Sequence, residues 1–154
     1  MKPSRILLTI NVVLLLFIWI FTGINYGSLP DTIPTHFIFN GTADGESQKN
    51  AIWFLPGIAS FLFFILFAIT KDPKSPMLNV PDSFRNKETL EFFSFSILLP
   101  LLLLFSDTIV ETILITQGKL QTLSFFSFFL IGILFLVLGI WIYLMIKKGK
   151  PANT

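Results

Sequence analysis

The sequence predicts an all-α integral membrane protein: a four-transmembrane-helix bundle with a small extracytoplasmic cap between helices 1 and 2. Three observations carry this expectation. The 154 residues are 53% hydrophobic and 13% charged, where an average soluble domain has roughly 45–50% apolar and about 25% charged residues. Four stretches, 6–24, 52–70, 92–115 and 123–146, approach or exceed the roughly 20 apolar residues that a helix needs to cross a hydrocarbon core. Nine of the 11 Lys and Arg residues lie in the amino end, the 71–91 loop and the carboxyl tail, leaving only Lys49 and Lys119 in the other two segments. Basic residues beside spans favour the cytoplasm, so both termini and the 71–91 loop are expected inside.

Each span has its own signals. The first follows Lys2 and Arg5, as a signal peptide would. Its apolar run exceeds the roughly 7–15 residues of a signal core and no small-x-small site follows it, so it reads as a retained span. In the second span Pro56 sits in the first turn, where its missing N–H is harmless. Asp82-Ser83, after Pro81, offers an N-cap for the helix leading into the third span. The run 92–105 is too short to cross a bilayer, so that span must take in Asp107. Pro100 cannot bond the carbonyl of Ser96, which predicts a kink. Gly118 breaks the chain before the fourth span, whose Gly132 and Gly139 share a face and, with Asn11 of the first span, are candidate helix contacts.

The segment 26–51, YGSLPDTIPTHFIFNGTADGESQKNA, is the one sizeable external stretch. Pro30 and Pro34 bracket extended chain, and Thr35, Phe37 and Phe39 alternate with His36, Ile38 and Asn40 in the manner of a short strand. Asn40-Gly41 and Asp44-Gly45 supply turns. A small folded cap is the expected outcome.

LPDTIPTHF, followed by Asn40-Gly41, Asp44-Gly45 and Lys49, resembles the membrane family called domain of unknown function 1648. That family carries a proline-flanked "iPtHf" segment, a glycine, an aspartate–glycine pair and a lysine between its first two spans. The same domain stands at the front of SdpI-like immunity proteins, so the resemblance implies a role in immunity to a secreted toxic peptide, or in its signalling. The resemblance also raises His36, Asp44 and Lys49 as ligand-binding candidates. SdpI-like proteins continue into further spans with an "iGiRTpwT"-type motif that this sequence does not contain.

Two groups of residues bear on chemistry. His36 is the sole histidine and has two readings: a ring hydrogen-bonded within the cap, or a ligand. Asp31, Asp44, Glu46 and Lys49 share the cap, where acids at turns commonly bond their own backbone. Asp107 and Glu111 are spaced i, i+4 and share a helix face with Pro100 and Leu103. A central carboxylate costs about 2.5–3.5 kcal/mol on insertion scales, so the pair should face the bundle or a wet cavity. A hydroxyl such as Ser106 or Thr108 is the structural partner to expect; an ion or ligand is the functional one. His36, Asp107 and Glu111 are the weak metal candidates. With the amino end inside, the pair lies in the outer half beneath the cap, and one composite site for a cation or a basic peptide group follows.

Several classes are excluded or weakened. With no cysteine, disulfides, thiolate zinc sites, iron–sulfur clusters and cysteine nucleophiles are ruled out. No HExxH, phosphate-binding glycine loop or GxSxG elbow is present, so no enzyme activity and no cofactor are expected. The basic residues do not interleave with aromatics as in nucleic-acid binders. The expected partners are the lipid bilayer, an external peptide or cation, and a cytoplasmic protein at 71–88. The leading reading is a membrane protein that binds or senses an extracytoplasmic ligand; the alternative is a small oligomeric ion or proton transporter using Asp107 and Glu111.

Overall fold

Helix α1 spans Pro3–Tyr26 in the computed structural model, which describes residues 2–76 and 78–149. Pro3 opens the helix at a position where a missing N–H costs nothing. Two strands follow, β1 (Thr32–Phe37) and β2 (Ala43–Gln48), paired antiparallel. A 3-10 turn, Lys49–Trp53, leads into α2 (Phe54–Ile69), with Pro56 buried in its first turn. After a second 3-10 turn, Asp82–Phe84, come α3 (Lys87–Thr116) and α4 (Phe125–Gly149). Lys150 and the rest of the carboxyl tail, counted above in the charge asymmetry, lie outside the described residues.

Four of these helical segments are long and apolar enough to cross a membrane, which makes the chain a multi-pass membrane protein. They are not equivalent. In α3, 44% of the most apolar window is buried, against 11–22% in the other three, so α3 is the hub and its neighbours turn broad faces to lipid. It packs against α1, α2 and α4. Leu98, Leu102, Ile109 and Ile113 of α3 meet Ile18 of α1 and Ala59 and Phe63 of α2 in one core, to which Ile33 of β1 and Ile52 are joined. The hairpin is therefore bolted to the bundle by its own apolar face. On the other flank Trp141 of α4 packs against Phe84 and Ile97 and donates its indole N–H to Ser96 Oγ at 2.8 Å. Phe125, Phe135, Leu136 and Ile142 of α4 stay exposed, as side chains against acyl chains should.

Two local expectations change. The helix leading into the third span is capped by Asn86, whose side chain accepts the Thr89 N–H at 2.9 Å, and not by Asp82-Ser83. Asp82 and Ser83 belong to the separate 3-10 turn because Phe84 behind them is buried against Trp141 and holds the chain there. Gly132 and Gly139 make no close helix contact: a Cβ at either would meet nothing within 4 Å. Asn11 does, fully buried and donating Nδ2–H to the Phe95 carbonyl at 2.9 Å. Between α2 and α3 the Arg85 guanidinium donates to the carbonyls of Ser75 (3.1 Å) and Leu78 (2.6 Å).

Candidate functional site

The hairpin places the first group of residues. Asn40-Gly41 forms its tip: Gly41 takes a φ of 83°, and the Asn40 side chain accepts the Thr42 N–H at 3.0 Å. Asp44-Gly45 does not turn the chain. Gly45 lies opposite His36 within the ladder, and the register slips on both sides of His36, from Pro34↔Glu46 to His36↔Gly45 to Phe37↔Ala43. Asp44 is thus the extra residue of a bulge, and bulges re-aim side chains. Its carboxylate reaches His36 Nδ1 at 2.5 Å. A Cβ on Gly45 would sit 2.9 Å from His36 Cβ, so this approach requires glycine. Both side chains of the pair are exposed. Lys49 pairs instead with Asp31 at 3.6 Å and lies over the Tyr26 ring.

Asp107 and Glu111 form the second group, and α4 is their partner. Asp107 Oδ2 accepts the Ser127 hydroxyl at 2.6 Å. Glu111, buried, accepts the Ser124 N–H at 2.9 Å and lies 3.2 Å from the same Ser127 hydroxyl. Ser124 precedes the helix and accepts the Phe126 N–H, and Ser127 stands in its first turn. In a capping box the third helical residue reaches back to the N-cap N–H; here the carboxylate of a neighbouring helix does so. These hydrogen bonds dock α4 onto α3 through the two acids. Ser106 and Thr108 are not its partners, because their hydroxyls donate to carbonyls one turn earlier, Leu102 and Leu104.

The two groups are joined by backbone. At the hairpin tip, Gly41 O accepts the Leu123 N–H at 2.8 Å, one residue before Ser124. The contact is so close that a Cβ on Gly41 would meet Leu123 O at 2.6 Å. Phe39 and Phe128 pack beside it, ring centroids 5.3 Å apart. Among the described residues no three His, Asp or Glu side chains gather as metal ligands, so His36, Asp107 and Glu111 do not form one centre. The sequence reading missed Ser124, Ser127 and Leu123. The signal was the S-x-x-S at 124–127 ahead of an apolar run, a helix start lacking the acid that usually completes it.

A pocket of about 340 Å³ opens between β1 and the adjoining ends of α2 and α3. Ile33, Pro34, Phe37, Ile52 and Leu55 form its apolar walls. Thr35, Ser47, Thr108 and Thr112 bring hydroxyls to it, with Thr35 and Ser47 within 2.9 Å of each other across the hairpin.

The second half of α1, the hairpin and the first part of α2 match, over residues 13–59, the family described as Domain of unknown function (DUF1648). That match covers 47 of the 154 residues. His36, Asp44 and Lys49 fall inside it, while Asp107 and Glu111 lie beyond it on α3. An uncharacterised protein of Archaeoglobus fulgidus is 31% identical over 68 residues, 44% of this chain. The matched stretch spans 37% of that protein's length. No solved structure matches the chain.

Proposed function

We propose that this chain is a non-enzymatic membrane protein that binds an extracytoplasmic ligand at its hairpin end, as in SdpI-like peptide immunity and signalling. The observation that carries this reading is the pocket between β1 and the ends of α2 and α3. At about 340 Å³ it has the size of a small-ligand site, and apolar walls with hydroxyls suit an apolar peptide side chain whose backbone is hydrogen-bonded at the rim. The His36–Asp44 pair stands exposed on the same hairpin, outside the residues that line the pocket.

In this reading the hairpin faces the exterior of a bacterial cytoplasmic membrane, and the charge asymmetry supports that orientation. Capture at the hairpin holds an amphipathic peptide at the surface and keeps it from inserting. Because the hairpin tip is bonded to the chain just before α4, occupancy can be felt at the Asp107–Glu111 docking point. Both carboxylates are committed to α4, which favours a docking role over an ion path.

The test is binding of a fluorescently labelled amphipathic antimicrobial peptide to nanodiscs with and without the protein. Ser47 is exposed at the pocket rim, so Ser47→Phe fills the pocket from the surface strand. Protein-dependent binding that falls in Ser47→Phe supports the proposal. Equal binding to empty nanodiscs, or binding unchanged by Ser47→Phe, overturns it.

A further inference from the structure

At the end of the bundle opposite the hairpin, a second pocket of about 360 Å³ lies where the start of α1, the end of α2 and the start of α3 converge. We propose that it binds the phosphodiester of an anionic lipid headgroup. Four cations line it, Lys2, Arg5, Lys71 and Lys87, against two carboxylates, Glu88 and Glu91.

The carboxylates are already engaged. Glu88 pairs with Lys2 at 3.6 Å, and Glu91 lies 4.0 Å from Lys87 and accepts the buried Ser4 hydroxyl at 3.0 Å. Among the described residues Arg5 and Lys71 have no carboxylate partner, and both are exposed toward the pocket mouth. An arginine fork matches two phosphate oxygens at once, whereas lysine adds a point charge. The Lys71 ammonium lies over the face of the Phe67 ring, 4.4 Å from its centroid, which fixes a positive charge on the apolar wall.

The backbone field points the same way. The N-termini of α1 and α3, both positive ends, meet here, and α1 has no side-chain cap. The Phe67 carbonyl at the end of α2 is occupied by the Thr70 N–H and hydroxyl, so it does not repel an anion unscreened. Leu8, Phe67 and Phe95 below the cations form apolar walls. Those walls suit the glycerol and upper acyl carbons of a lipid, and a free phosphate would leave them wet. Basic pockets between spanning helices at the cytoplasmic face are a recurrent form of lipid recognition.

The experiment is thermal unfolding of the full chain in neutral detergent with phosphatidylglycerol, phosphatidylcholine or inorganic phosphate, each at equal concentration. Phosphatidylglycerol alone should raise the midpoint. The double variant Arg5→Gln/Lys71→Gln should weaken the apparent affinity by about fivefold per charge removed, while Lys71→Arg and Lys119→Gln, the latter exposed between α3 and α4 at the hairpin end, keep the wild-type response. A shift equal for phosphatidylcholine, a shift reproduced by inorganic phosphate, or one retained in the double variant overturns the proposal. If the double variant is unfolded without lipid, native mass spectrometry of phosphatidylglycerol retained by Lys71→Gln decides in its place: loss of the adduct supports the site, retention sinks it.

Discussion

Ser127 illustrates how one hydroxyl can hold two helices together. It lies 2.6 Å from Asp107 and 3.2 Å from Glu111; having one proton, it donates to one carboxyl at a time, and the closer Asp107 is the better acceptor. Removing it leaves buried acceptor capacity unfilled, at a cost of about 1–3 kcal/mol. Ser127→Ala should therefore lower the unfolding midpoint, while Ser127→Thr, which keeps the hydroxyl, should lower it less. If the two residues act as one unit, Ser127→Ala and Glu111→Gln will be non-additive in a double-mutant cycle, by about 0.5–3 kcal/mol. Additive effects would mean that Glu111 works through the Ser124 N–H alone. Asn11 offers the contrast. Its Nδ2–H meets the Phe95 carbonyl but its Oδ1 is buried without a partner, and interhelical hydrogen bonds in bilayers average only about 0.6 kcal/mol. Asn11→Leu should change the midpoint little in either direction.

The hairpin depends on two glycines for different reasons. Gly41 has a left-handed φ of 83° and touches Leu123, whereas Gly45 has an ordinary φ and is required only by the approach of His36. Gly41→Ala carries about 1–2 kcal/mol of backbone strain before the clash with Leu123 is counted. It should undock the tip, seen as faster hydrogen exchange at the Leu123 amide. Gly139→Ala, with nothing near an added Cβ, should leave exchange there unchanged and the midpoint equal or slightly higher, since alanine is the better helix former. At this scale the apolar runs made the four helices legible, because a span's length and composition are fixed by the bilayer. Their ends were not legible in the same way. α3 starts at Lys87, five residues before the apolar run, because an interfacial turn tolerates Lys87, Glu88 and Glu91. Asp44-Gly45 read as a turn because an Asp-Gly pair fits a turn and a bulge alike; the residue across the ladder, His36, decides between them.

For the whole molecule, the sequence pointed to a single composite site because it placed His36, Asp107 and Glu111 at one end. The bundle does bring both groups to the hairpin end, but joins them in series, His36–Asp44 on the hairpin, then Gly41 to Leu123, then Ser124 to Glu111. That chain of contacts is tertiary and leaves no mark in spacing or composition. Both proposals, the hairpin ligand site and the lipid pocket at the opposite end, require those ends to face opposite sides of the membrane, and the native sequence has no cysteine to complicate labelling. Glu46 on β2 and Lys74 in the 71–86 loop are both exposed. In intact cells Glu46→Cys should react with a membrane-impermeant maleimide, and Lys74→Cys should react only after permeabilisation. The reverse pattern would put the hairpin in the cytoplasm, beyond reach of a secreted peptide, and would move the basic pocket to the outer leaflet. Labelling of both in intact cells would break the antiparallel order of α1 and α2, and with it the membrane orientation on which both proposals rest.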